Sequence, residues 1–226
     1  MGNVIGGIRR EFGDQAYIIV CVRSPLDPTI EASKIAGADA VIVQPTPGYG
    51  LAHRTAISFG LTQLRGCRDD PEVSVVMVDA DDTYDLSKVR MMVEIAGSKK
   101  LVVGDRFQGR GIRRAMPLVN YIGNKILSLL FKVVTGVKVE DTQSGLKVFP
   151  ASLAEKFRMD GMEFSTEVIV RALERRLEVV EVPVEYRPRR GSHSKLNRVR
   201  DFVRIAIFML KEGCRARSLR LARCQR

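Results

Sequence analysis

Residues 73–82 read Val-Ser-Val-Val-Met-Val-Asp-Ala-Asp-Asp, an apolar run that ends abruptly in carboxylates. A short apolar run of this kind is the pattern of a buried strand. Asp79 and Asp81 fall just beyond its carboxyl end, where open α/β sheets bind their ligands. Two carboxylates one residue apart on a tight turn can share a hard divalent cation, Mg2+ or Mn2+, and that cation can bridge the oxygens of a diphosphate. The alternative is a solvated turn that caps the next helix. The apolar strand in front of the turn favours the metal.

Outward from this stretch, helix and strand patterns alternate. Val4, Ile5, Ile8 and Phe12 recur at helical spacing, and residues 17–22 then read as a strand. Asp27-Pro28 predicts the N-cap and first position of a helix closing at Gly37, with a strand at 40–43 behind it. Residues 50–64 read as helix, 86–96 as helix behind the cap Asp85, and 101–103 as strand. This alternation predicts parallel strands joined by crossover helices. After a Gly- and Arg-rich loop at 104–115 come a long amphipathic helix at 117–134, a turn at 141–145, a helix near 166–176, a β-rich stretch at 178–186 and a basic segment at 187–197. No internal repeat and no linker divides the chain.

Composition narrows the function. A chain of 226 residues, 45% hydrophobic, can fill a real core, and only 6% aromatic residues with no Trp argue against a protein built to stack nucleobases. The four cysteines, Cys21, Cys67, Cys214 and Cys224, form no CxxC pair, so neither a zinc site nor a disulfide framework is expected and a reducing compartment fits. The net charge of +11 lies entirely in residues 187–226, which hold 13 Lys and Arg against 2 Asp and Glu. A neutral body joined to a basic end argues against nucleic acid as the partner, because no basic stripe crosses the body. No apolar run reaches the ~18 residues that a spanning helix needs, and the N-terminus lacks a signal-peptide layout.

Several further residues could do chemistry. Gly48 and Gly50 precede a helix, where backbone amides can approach a nucleotide; they can equally be a plain strand-to-helix turn. Arg106, Arg110, Arg113 and Arg114 crowd one loop, and the guanidinium is the side chain best matched to phosphate. Arg110 reads as exposed and solubilising, whereas Arg106 directly follows a strand. His53 reads as a helix-surface residue, and His193 has no partner at ligand spacing. Phe202, Ile205, Ala206 and Met209 share one face of a basic helix, which suits either a membrane interface or a core-packed helix followed by a disordered tail at 213–226.

Together, VDADDTYDLSKV, GDRF, MPLVNYIGNKILSLLFKVVTGVKVEDTQSGLKVF, MEFSTEVIVRA and EVPVEYRPRRGSHSKLN resemble, in order and spacing, the family 2 glycosyltransferases of the dolichyl-phosphate mannose or glucose synthase type. The resemblance covers about residues 40–212. It implies a GT-A α/β fold: a Rossmann-like, mostly parallel sheet flanked by helices, with a small second β-sheet. It assigns residues 1–197 to the GT-A domain and 198–226 to a basic amphipathic helix and tail. It implies metal-dependent, inverting transfer of a hexose from GDP-mannose or UDP-glucose to a polyprenyl (dolichyl) phosphate.

The resemblance also implies roles. Asp79 and Asp81 match the metal-binding Asp-x-Asp, with Thr83 beside them. Arg106 matches the arginine after the next strand, and Arg113 or Arg114 falls near the acceptor phosphate. Asp141, Gln143 and Ser144 line the floor around the sugar, and Glu163 falls in an acidic stretch near the site. Arg189, Ser194 and Lys195 form a basic loop over the donor diphosphate and acceptor phosphate. A phosphate acceptor is already an anion and needs no base to attack, so the site's task is to manage charge. A lipid acceptor implies peripheral association, through the basic C-terminal segment, with the cytoplasmic face of a membrane.

Relatives open with a strand carrying Pro-x-Tyr-Asn-Glu and a second strand ending in Asp-Asp-Gly-Ser, which read the nucleotide base. Here the chain opens at Met1-Gly2-Asn3, and Val22-Arg23-Ser24-Pro25 stands at the second element. The first strand of the sheet is therefore expected to be missing, with its neighbours' edges unpaired unless something fills the gap. The same departure motivates a second reading, a catalytically impaired relative that binds nucleotide, lipid phosphate or protein.

Overall fold

The computed structural model describes residues 1–64, 70, 72–189 and 198–224. The alternation read from the sequence is present. Helix α1 (Gly2–Phe12) leads to β1 (Ile19–Val22), α2 (Thr29–Ile35), β2 (Ala40–Val43) and α3 (Tyr49–Gln63). Then come β3 (Ser74–Met77), α4 (Val89–Ala96), β4 (Lys100–Asp105), the short α5 (Ile112–Ala115) and α6 (Leu118–Thr135). The chain continues with β5 (Lys147–Pro150), α7 (Phe164–Glu174), β6 (Glu178–Pro183), α8 (Arg198–Phe208), a π-helical turn at Met209–Gly213 and α9 (Cys214–Cys224). The Asp27 carboxylate accepts from the Thr29 amide at 3.0 Å, and α2 starts at Thr29 with Pro28 at the cap position, one residue later than Asp27-Pro28 predicted.

The strands form two sheets. The larger has the order β3-β5-β4-β6, and the smaller pairs β1 with β2 in parallel. In the larger sheet β4 and β6 are parallel, and β5 runs antiparallel to both β3 and β4, so three of the four strands share one direction. The sequence did not announce β5, because Lys147 interrupts its apolar run. That reversal matters: the residues before β5 arrive at the same edge as the residues after β3, β4 and β6.

Among the described residues no strand joins β1 to β3, so the sheet is interrupted where the first strand was expected to be missing. Helices span the interruption instead. On α1, Val4 and Ile8 pack with Leu86, Met92 and Val102, while Ile5 packs with Val20 and Val22 of β1. On α3, Gly60 lies against Ile19, and Ile57 packs on the cluster of Phe149 and Phe164. Apolar area removed from water is worth roughly 25 cal/mol per Å2, so these contacts hold the small sheet in place without a backbone ladder.

The C-terminal helices are built into the body. Ile205, Phe208, Met209 and Ala216 belong to the same buried cluster as Phe131 and Phe164, and α9 is helical where a disordered tail was expected. Buried Ala216 anchors the first turn of α9 in that cluster. Helix α6 also departs from expectation, since it is long and apolar enough to cross a membrane by length and composition. One of its faces carries buried Leu127, Phe131 and Val134, whereas Leu118, Ile122, Ile126, Leu129 and Val133 are exposed.

Candidate active site

Four chain segments converge at one edge of the larger sheet. Asp79 and Asp81 follow β3, Arg106 follows β4, Asp141–Ser144 precede β5, and Arg189 lies beyond β6. The segment after β6 is zipped onto the turn after β3. The Arg187 amide donates to the Thr83 carbonyl at 2.7 Å, the Asp85 amide donates to the Glu185 carbonyl at 3.1 Å, and Tyr84 faces Tyr186 in an antiparallel bridge. The Arg187 guanidinium adds an ion pair with Asp85 at 3.2 Å.

The carboxylates of the turn are individually held. The Tyr49 hydroxyl donates to Asp79 Oδ1 at 3.1 Å. Burial, and then the Asp81 charge, push the Asp79 carboxyl above its ordinary value, and the Arg106 and Arg189 charges oppose them. Asp81 Oδ1 accepts from the Thr83 hydroxyl at 2.6 Å, and Asp81 Oδ2 is paired with Arg189 Nε. Asp82 adopts a positive φ of 61° and accepts from Asn3 at 2.7 Å, which ties α1 to this turn.

The donor set fits a divalent cation. Hard carboxylate oxygens suit Mg2+ or Mn2+. A Cβ on Gly145 would overlap the Asp79 carboxylate, so the glycine leaves room for it. The Arg189 guanidinium already stands as a positive charge on Asp81. Among the described residues no cluster of three or more His, Cys, Asp or Glu accompanies the pair.

Arg106 and Asp141 form a buried pair, with Nε to Oδ2 at 2.6 Å and Nη2 to Oδ1 at 2.8 Å, and the Arg106 amide also donates to Oδ2 at 3.1 Å. The guanidinium lies 5.2 Å from the Tyr186 ring centre. Its contacts are thus internal, and it orders the floor of the site. Gln143 donates to the Thr166 hydroxyl at 2.8 Å and stays half-buried. Ser144 is buried, with its hydroxyl near Tyr84. Glu163 is buried and pairs with Arg204 at 2.6 Å, and among the described residues its Oε2 has no hydrogen-bond partner.

Other sequence expectations resolve differently. Gly48 and Gly50 make their close approach to the chain's own backbone: a Cβ would sit 2.6 Å from the Asp160 carbonyl at Gly48 and would overlap the Met159 carbonyl at Gly50. Packing therefore accounts for both glycines without a nucleotide. His53 is half-buried on α3, not simply exposed on the helix surface. It stacks on Phe164 at 5.6 Å and meets Tyr49 edge-on at 4.8 Å, and burial pushes its pKa down to about 4. Arg113 and Arg114 are exposed and line, with Gly109 and Gly111, a hollow of about 310 Å3. His193, Ser194 and Lys195 lie outside the described residues.

Sequence reasoning missed Tyr49 and Lys147. Lys147 is fully buried in the centre of the larger sheet, where it donates to Ser165 Oγ at 2.7 Å and to the Ser144 carbonyl. A lone cation inside Leu-Lys-Val-Phe is the signal that could have found it.

Comparison with known proteins places the chain among glycosyltransferases. No family profile matches the chain. It is 31% identical over 179 residues to the low-salt glycan biosynthesis hexosyltransferase Agl6 of Haloferax volcanii, covering 76% of this chain but only 40% of that relative's length. It is 31% identical over 193 residues to a dolichyl-phosphate hexose transferase of the same organism, covering 84% of this chain and 78% of the relative. Among solved structures, Mycobacterium tuberculosis glucosyl-3-phosphoglycerate synthase in complex with Mn2+, UDP and glucosyl-3-phosphoglycerate superposes with a TM-score of 0.64 at 17% identity, over 94% of this chain and 76% of that one. A mycobacterial protein superposes with a TM-score of 0.66 at 20% identity, over 94% of this chain and 69% of its own. These likenesses show a GT-A-like α/β fold, and with the relatives at 31% identity they show that the chain belongs to the glycosyltransferase family of the dolichyl-phosphate hexose transferases.

Proposed function

We propose that the protein transfers a hexose from a nucleoside-diphosphate sugar, UDP-glucose or GDP-mannose, to a polyprenyl phosphate of the dolichyl type, with inversion at the anomeric carbon. One observation carries this reading: the Asp79/Asp81 turn, the Arg106–Asp141 pair and Arg189 meet at one sheet edge. Metal, diphosphate and sugar would meet there.

An acceptor phosphate oxygen attacks the anomeric carbon, the bond from that carbon to the diphosphate oxygen breaks, and the nucleoside diphosphate leaves. The nucleophile is already anionic, so no side chain has to remove a proton. A divalent cation, when bound by Asp79 and Asp81, supplies positive charge to the leaving diphosphate. Tyr49 and Thr83 orient these two carboxylates. Arg106 acts as a positioning residue that holds Asp141 in place. Arg113 and Arg114, exposed around the hollow, receive the acceptor phosphate against the repulsion of the donor.

A membrane supplies the acceptor, and the reading that follows is peripheral association on the cytoplasmic face. Exposed apolar residues run along α6 at Ile122, Ile126 and Leu129 and along α8 at Val199, Val203 and Ile207. Basic side chains frame them, Arg113 and Arg114 at one end and Arg215 and Arg217 at the other, as anionic headgroups would require.

Transfer of labelled hexose from each donor to a polyprenyl phosphate in the presence of Mn2+ tests the proposal. The expected outcome is lipid-linked hexose with at least one donor, lost in Asp81→Ala. The interrupted sheet favours the second reading, a binding module, and nucleotide binding without transfer from either donor would establish that reading in place of the first.

A further inference from the structure

Resting on the proposed function, we propose that Arg189 is an internal substitute for the divalent cation, and that handing it from Asp81 to the donor diphosphate makes metal and nucleotide bind cooperatively.

The observation is a division of labour within one carboxylate. Asp81 Oδ1 is occupied by the hydroxyl and amide of Thr83, so Oδ2 is the oxygen left to meet a cation, and Arg189 Nε is on it. Two carboxylates this close repel each other without a positive charge between them. Arg189 supplies that charge from a fixed base: Tyr186 and Arg187 are pinned to Arg110 and Thr83 by backbone hydrogen bonds of 3.0 and 2.7 Å. The side chain of Arg189 is the part that can exchange partners, being itself 37% exposed.

A metal ion approaching alone must displace this guanidinium and leave it unpaired beside a second cation. When a nucleoside diphosphate arrives with the metal, it gives the displaced Arg189 an anionic partner of the kind a planar guanidinium fits best. The cost of opening the Arg189–Asp81 pair is thus recovered only when both ligands are present. That is a positive coupling between two binding events, and by linkage each ligand raises the affinity of the other equally.

The test is Mn2+ binding to the full chain, followed by titration calorimetry and by loss of the free Mn2+ spin-resonance signal, with and without UDP or GDP. In the unaltered protein the better of the two nucleotides should strengthen Mn2+ binding about tenfold or more, within the usual range of coupling. Arg189→Ala should bind Mn2+ alone about fivefold more tightly and show a coupling to nucleotide reduced to about twofold. Arg189→Lys should fall between them. Arg187→Ala, which removes a cation paired with Asp85 and not with Asp81, should leave Mn2+ affinity unchanged. If Arg189→Ala binds Mn2+ alone no better than the unaltered protein, or if Arg187→Ala matches its effect, the exchange is overturned while the proposed function stands. Absence of any Mn2+-dependent nucleotide binding in the unaltered protein would overturn both.

Discussion

Arg106 grips Asp141 with two parallel hydrogen bonds of 2.6 and 2.8 Å, and Asp141 is wholly shielded from solvent. The pair joins the residue after β4 to the residues before β5, which are far apart in sequence and adjacent only because β5 runs backward. Burial of both partners makes the geometry expensive to disturb, since either charge left alone has no solvent to turn to.

Removing one partner should therefore cost more than removing both. Asp141→Asn or Arg106→Met should each destabilise the protein by about 3–5 kcal/mol. The double variant Arg106→Met/Asp141→Leu should be less destabilised than either single one. Urea unfolding of the four proteins measures the coupling directly, and additive single effects would show that the pair does not act as a unit.

His53 should make stability sensitive to mild acid. Its folded pKa is pushed down to about 4 by burial and by the Lys147 charge, from an ordinary 6.5. The unfolded chain then binds a proton between those values and the folded chain does not, so stability falls as the pH drops from 6.5 towards 4. The loss attributable to this residue is on the order of 2 kcal/mol. His53→Phe keeps a ring between Tyr49 and Phe164 while removing the titration, and its unfolding midpoint should be correspondingly flatter across that range.

Lys147 should act in the opposite pH region. Burial pushes its ammonium down to about 7 from an ordinary 10.5, with the Asp141 charge opposing the shift. Between these values the unfolded chain holds the extra proton, so stability should rise with pH from 7 towards 10.5. Lys147→Met, similar in length and without charge, should remove that slope. A persisting slope in the variant would assign it to other groups.

The apolar faces of α6 and α8 should bind anionic bilayers. In flotation with phosphatidylserine-containing vesicles the protein should partition to the lipid, and neutral vesicles should retain much less, because each cation near an anionic leaflet contributes about 1 kcal/mol. Ile126→Glu combined with Ile207→Glu should lower binding by about tenfold or more without altering the fold, since both residues are 49% and 47% exposed. Unchanged flotation would remove these faces from the membrane contact.

Much of this was legible in local pattern. The strands between residues 17 and 105 followed from short apolar runs and the helices from a period of 3.6, and the run into Asp79 and Asp81 marked the sheet edge at which Arg106, Asp141 and Arg189 also gather. Lys147, Tyr49 and the locked state of Arg106 were not legible. Each depends on a partner distant in sequence: Lys147 on Ser165, Tyr49 on Asp79, Arg106 on Asp141. No local spacing encodes such partners, and the reversed direction of β5 that assembles them is masked by a charged residue within its apolar run. His53 misled for a related reason, because its half-buried face is created by Phe164 on another helix.

The break between β1 and β3 divides the molecule mechanically. A continuous backbone ladder transmits opening from strand to strand, whereas here residues 16–43 are fastened to the rest through side chains on α1 and α3. Amides of β1 and β2 should accordingly exchange with deuterium ahead of those in β4 and β5, as a separate cooperative unit. The part of the chain that carries β1 and Val22-Arg23-Ser24-Pro25 is thus the part that can yield first, leaving intact the edge that carries Asp79, Arg106 and Asp141.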